Sequence, residues 1–114
     1  MLIEKKRGEI YWVDWNPGRG SEQSGLRPAL VIQNDIGNKH SPTTIVAALT
    51  TAIEKPYPFL IKVTAKESGL PKDSIVNLAV ILIVDKTRLT NKCGELSEAR
   101  MSEVNDAIKA SLGL

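Results

Sequence analysis

Residues 74–84 read SIVNLAVILIV, and no other stretch limits the fold so much. The run is rich in β-branched residues and bounded by turn signals, the pattern of one or two buried strands. Its unbroken apolar core, Leu78 to Val84, is seven residues long, too short to span a bilayer. Similar short runs recur upstream. EIYWVDW at 9–15, ALVIQ at 29–33 and TIVAALTT at 44–51 read as strands. Tyr57 to Thr64 reads as a fourth, an edge strand, because Pro56 and Pro58 cannot donate to a ladder. Asn16–Gly20, Asn34–Pro42 and Gly69–Asp73 carry the glycine, proline and asparagine of turns and loops. The tail changes period. Ser97 is placed to cap a helix on which Met101, Val104, Ile108 and Leu112 fall on one side, with Gly113 beyond its end. Five or six strands followed by one amphipathic helix predict a mainly β domain, a small curled barrel with the helix packed on it. The loop 16–27 is long enough to form a rim over one face.

The chain has 114 residues, 42 % of them hydrophobic and 25 % charged, which suits one ordered domain spanning 1–114. Its net charge of +2 is mildly basic, compatible with a polyanion partner but weaker than that of a dedicated nucleic-acid domain. The single cysteine, Cys93, can form no internal disulfide, and no ligand cluster surrounds it, so a structural zinc site is not expected. A cytoplasmic location is expected, since MLIEKKRGEIYW lacks the order of a signal peptide. No P-loop or HExxH motif occurs. One histidine, His40, stands in a turn, so a two-histidine ribonuclease mechanism is impossible.

Candidate chemistry therefore rests on carboxylates, hydroxyls and cations. Arg27 precedes Pro28, which biases it to extended geometry, and a guanidinium grips phosphate well through its planar fork. From the residues alone it is either such a grip or a bridge to Glu22 or an aspartate. Thr50 and Thr51 end a strand, one expected inward and one outward; threonine there is ordinary unless something binds it. Trp12 and Trp15 can stack on bases or pack in the core. Asp85–Leu89 reads as a strand exit with local pairing, and Lys5–Arg7 as a solvated end. LAVILIV is either a central buried strand or a face shared between subunits.

RGEIYWVDWNPGRGSEQSGLRPALVIQNDIGN at 7–38, SPTTIVAALTT at 41–51, DKTRLT at 85–90 and the terminal SLGL together resemble the MazF/PemK (Kid) family of toxin endoribonucleases. The resemblance covers nearly the whole chain. It implies an SH3-like β-barrel that forms a homodimer. It implies ribosome-independent cutting of single-stranded RNA without metal or cofactor, away from membranes. It also implies a cognate MazE/PemI-like antitoxin, whose disordered tail occupies the RNA groove. The catalytic arginine and threonine fall on Arg27 and Thr50, and the acidic residue of the GSEQ loop on Glu22. Gly20, Ser21, Gln23, Pro28, Asn34 and Thr51 are the implied substrate contacts. One departure stands out. Relatives read EQIRTIDKxRL where this chain reads AVILIVDKTRL, so Val80 and Leu82 replace polar residues of a strand that helps line the groove and the dimer contact.

Three other readings stay open. A gyrase-poison toxin of the CcdB type shares the fold but lacks the Arg27, Thr50 and GSEQ set. A degenerate member would bind without cutting. An SH3-type peptide module would need more aromatics than two Trp, two Tyr and one Phe.

Overall fold

The computed structural model describes residues 4–15, 25–51 and 56–114. Six strands, β1 (Glu9–Asp14), β2 (Leu26–Val31), β3 (Thr43–Thr51), β4 (Leu60–Val63), β5 (Ser74–Asp85) and β6 (Leu89–Glu95), form one sheet in the order β4-β5-β3-β2-β1-β6. Every pair is antiparallel. The helices are α1 (Asp35–His40), α2 (Ala65–Ser68) and α3 (Glu98–Leu112). The expected β class, edge position of β4 and C-terminal helix all hold. The barrel is curled but not closed by strand pairing, since β4 and β6 remain the two edges. Across that gap the turn after α2 lies on β6. A Cβ added at Gly69 would collide with the carbonyl of Cys93, and one at Gly94 with the carbonyl of Ser68. Gly69 also holds φ at 77°, the left-handed region glycine favours. Two backbones in contact close the curl where strand pairing does not.

Successive residues of the central strands feed two apolar clusters. Ile10, Leu30, Ala47 and Leu49 join Val76, Leu78 and the Met101, Val104 and Ala107 face of α3. Their neighbours Tyr11, Val13, Ala29, Val31 and Val46 pack with Val84 and Leu89. Both faces of the sheet are covered there, which is why these strands read as continuous apolar runs. α3 follows its sequence pattern closely. Ser97 Oγ accepts the Arg100 N–H, and Gly113 closes the helix in the left-handed region. Arg100 then reaches Glu67 at 3.0 Å, tying α3 to α2.

The run 74–84 is one bent strand, and the buried reading holds only for part of it. One step along β3, from Ala47 to Ala48, spans Ile81 to Asn77 on β5. At this bulge the Leu78 N–H donates to the Phe59 carbonyl at 2.9 Å, and Ser111 Oγ donates to the Leu78 carbonyl at 2.6 Å. Val80 within it, and Leu82 and Ile83 beyond it, emerge on the surface, Ile83 with 73 % of its area exposed.

The segment 34–42 holds a helix where the sequence suggested a turn. Asn34 caps α1, accepting the Gly37 N–H at 2.8 Å. Asn38 is fully buried, accepting from Thr44 Oγ1 at 2.6 Å and donating to the Gln33 carbonyl at 2.9 Å. Nor is the N-terminal cluster simply solvated. Arg7 donates through Nε to the Ile32 carbonyl at 2.8 Å and through Nη2 to Asn105 at 2.6 Å.

Glu9 anchors this end of the sheet. Buried at the start of β1, it accepts from the Lys6 N–H at 2.7 Å, the Tyr11 hydroxyl at 2.9 Å and Lys92 Nζ at 3.0 Å. Burial raises its pKa, but these donors outweigh that and hold the carboxyl below its ordinary 4.5. Burial, followed by the Glu9 charge, pushes the Tyr11 hydroxyl upward.

Two outcomes are expected. Gly94→Ala should lower stability by about 1–3 kcal/mol through overpacking, read as a drop in melting temperature. Because the folded pKa of Glu9 is depressed, its stabilisation is full above pH 4.5 and is lost as pH falls through the lower folded value. Glu9→Gln should therefore lower the melting temperature at pH 7 and flatten its decline as pH falls below 4.5, measured by thermal melts across pH.

Candidate active site

The candidate site begins where two strands stop pairing. β2 and β3 pair through Val31 with Val46, Leu30 with Ala47, and Ala29 with Ala48. The next residue of β2 is Pro28, which has no N–H to give. Extended past that point, the same register sets Pro28 against Leu49 and Arg27 against Thr50. Each residue is fixed from its other side. Arg27 pairs with Val13 and Pro28 with Trp12 on β1, while Thr50 pairs with Ile75 and Thr51 with Ser74 on β5. β2 starts earlier than the sequence suggested, so Arg27 sits within a strand rather than at its foot.

The unzipped end opens into a cleft of about 380 Å³. Trp12, Arg27 and Pro28 line one side, and Leu49, Thr50 and Thr51 the middle. Leu70, Pro71, Lys72 and Ser74 complete it. Thr50 and Thr51 are both exposed; the strand ends there, so neither turns into the core. Among the described lining residues two carry positive charge, Arg27 and Lys72, and none carries negative charge. Such a lining attracts an anion, and its apolar parts suit the flat faces of attached groups. Among the described residues, no three His, Cys, Asp or Glu side chains gather to hold a metal ion.

The other expected residues divide. Pro28 and Thr51 line the cleft with Arg27 and Thr50. Gly20, Ser21, Glu22 and Gln23 lie outside the described residues, as does most of the loop expected to form a rim. Asn34 is not brought to the cleft; its side chain caps α1. The tryptophans part company, Trp12 lining the cleft and Trp15 packing on the second apolar cluster. His40 is exposed on the last turn of α1. The strand exit pairs locally only at Asp85 and Thr87, while Lys86 and Arg88 reach distant carbonyls, of Asn38 and Asp14. Asp85 accepts the N–H and hydroxyl of Thr87, which hold its carboxyl low, and Arg88 donates to the Asp14 carbonyl at 3.0 Å. Val80 and Leu82 are not among the cleft residues.

Sequence reasoning missed Leu49, Leu70, Pro71, Lys72 and Ser74. Gly69–Asp73 was legible as a turn, but its place beside Thr51 follows from the Thr51–Ser74 pair. No local pattern announces that register.

Comparison with known proteins gives this geometry a family. A family model described as the PemK-like, MazF-like toxin of type II toxin-antitoxin systems matches residues 6–112. The chain is 48 % identical over 110 residues to endoribonuclease EndoA of Bacillus subtilis, covering 96 % of this chain and 95 % of that one. It is equally identical to endoribonuclease MazF of Staphylococcus saprophyticus, covering 96 % and 92 %. A solved mycobacterial endoribonuclease in complex with its cognate antitoxin superposes with a TM-score of 0.80 at 26 % identity, covering 96 % of both chains. A MazE-MazF structure from Deinococcus radiodurans, 24 % identical, shares the fold with a TM-score of 0.80 over 99 % of each chain. No helix among the described residues is long and apolar enough to cross a membrane. A match over almost the whole length, and relatives of nearly equal size at 48 % identity, show that this chain belongs to the PemK-like, MazF-like toxins of type II toxin-antitoxin systems.

Proposed function

We propose that the chain is a ribosome-independent, sequence-specific endoribonuclease that cuts single-stranded RNA without metal, at the cleft where β2 and β3 separate. The observation that carries this reading is the placement of Arg27 and Thr50 across that opening. The endoribonuclease names of the 48 % identical relatives support it.

The chemistry needs little more than those groups. The 2′-oxygen of the substrate attacks the neighbouring phosphorus in line. The O2′–P bond forms and the P–O5′ bond breaks. The 2′-OH proton is removed, and a proton reaches the departing 5′-oxygen. The products are a 2′,3′-cyclic phosphate and a 5′-OH. Arg27 holds a fixed charge where the phosphorane's negative charge grows. Thr50 Oγ hydrogen-bonds the phosphate or nucleophile and fixes the attack geometry. A guanidinium holds its protons too tightly to be a good acid, so Glu22 or a water is the better proton carrier. Gly20, Ser21 and Gln23 are further substrate contacts in this reading, with Pro28 and Thr51 beside the phosphate.

The partners follow from the same reading. A cognate antitoxin's disordered tail competes for the cationic cleft. Val80, Leu82 and Ile83 form an exposed apolar strip that a second copy of the chain covers in a cytoplasmic homodimer. A member that binds RNA without cutting it is the second reading, favoured by the apolar Val80 and Leu82. That neither of them lines the cleft counts against it.

Incubation with long single-stranded RNA in EDTA, with mapping of the cut ends, tests the main reading. Wild type should leave 5′-OH ends, and Arg27→Ala should cut about 100- to 1000-fold more slowly. Cleavage that stops on chelation, or 5′-phosphate ends, contradicts the mechanism. Thr50→Val should slow cutting at least about tenfold and shift stability by less than about 0.5 kcal/mol. Light scattering should give about twice the 12.5 kDa chain mass; a monomer's mass rules out the dimer.

A further inference from the structure

We propose that Lys72 is a second phosphate-holding cation of the cleft, binding the backbone phosphate beside the one at Arg27. This rests on the endoribonuclease reading of the same site and extends it to how the strand is held. Three observations carry it.

The first is position. Arg27 stands on β2, Thr50 and Thr51 on β3, and the 70–72 segment leads into β5. β3 lies between β2 and β5 in the sheet. Where the sheet is paired, backbones on β2 and β5 are roughly 10 Å apart, two strand spacings, and the parted strands at the cleft hold them no closer. One phosphate at Arg27 and Thr50 then leaves the far side of the cleft for a neighbour on the same strand.

The second is a fixed backbone. Leu70 and Ser74, on either side of Lys72, are buried. The Leu70 N–H donates to Ser68 Oγ at 3.2 Å, and Ser74 Oγ donates to the Lys72 carbonyl at 3.1 Å. Gly69 is pressed against Cys93. Only the Lys72 side chain is left to order on binding, which lowers the cost of using it.

The third is charge. The nearest carboxylate in sequence, Asp73, accepts the Ala65 N–H at 2.8 Å and so faces α2. No described lining residue is acidic. An ammonium on a flexible stem suits a backbone phosphate, which needs a point charge and no fixed fork.

Such a cation sets affinity and its salt dependence, while the chemical step belongs to Arg27 and Thr50. The test uses the full chain and a fluorescein-labelled, mixed-sequence single-stranded RNA with 2′-fluoro sugars, which lacks the nucleophile. Binding is followed by anisotropy between about 50 and 200 mM salt. Single-turnover cutting of unmodified RNA is measured at saturating enzyme. Lys72→Gln should weaken binding and reduce the slope of log affinity against log salt by about 0.7, the value for one phosphate contact on a single strand. It should leave the saturated cutting rate and the melting temperature unchanged. Lys72→Arg should restore the slope, and Lys109→Gln, on the exposed face of α3, should not change it. An unchanged slope in Lys72→Gln overturns the proposal, as does a lower saturated rate with an unchanged slope. Wild type that neither binds nor cuts RNA overturns the endoribonuclease reading itself, a result distinct from both.

Discussion

The pairing between β2 and β3 runs out after Ala29 and Ala48, and the functional end of the molecule depends on that ending. A fully zipped ladder would bring the backbones at Arg27 and Thr50 to hydrogen-bonding distance along their whole length. Pro28 withholds the next donor, and the strands are free to part. Yet neither residue is loose. Arg27 stays paired to β1 and Thr50 to β5, so each side of the cleft is braced from outside. A backbone braced in this way holds the Arg27 side chain's attachment point in a fixed place at the cleft.

The frame keeps its curvature through contacts strand pairing does not supply. Residues 74–77 of β5 pair with both β3 and β4, and past the bulge residues 81–85 continue along β3 without β4. The contact of Gly69 with Cys93, and of Gly94 with Ser68, holds the turn after α2 against the opposite edge. This contact serves the site as well as the core, because the same turn carries Leu70, Pro71 and Lys72 into the cleft. At the far end, Glu9 ties the N-terminal segment, β1 and β6 together through Lys6, Tyr11 and Lys92. From the bulge onward β5 emerges apolar and exposed at Val80, Leu82 and Ile83.

Much of this was legible in the residues. β1 and β3 announced themselves by β-branched and aromatic content, and α3 by period and by both caps, Ser97 and Gly113. α1 and α2 were not, because helices of six and four residues are too short to show a period. Nor was β6. LTNKCGE lies on the sheet edge with only Leu89 buried, so it carries no apolar signature. The bend in β5 is invisible because apolar residues continue on both sides of it. At the site, spacing alone left Arg27 and Thr50 open between bland and chemical roles, and the family resemblance singled them out. Lys72 was missed because its neighbours in space come from the register of Thr51 with Ser74. Asn34 shows the reverse case, a polar residue in a matching motif whose side chain caps a helix.

In the proposed reading, single-stranded RNA lies in the opening between β2 and β3. Amide chemical-shift mapping of the isotope-labelled protein, titrated with a 2′-fluoro single-stranded RNA, tests it most directly. The account predicts shifts concentrated at residues 26–28, 49–51 and 70–74, with the exposed face of α3 unmoved. Shifts concentrated on α3 or β6, with those segments silent, would contradict it.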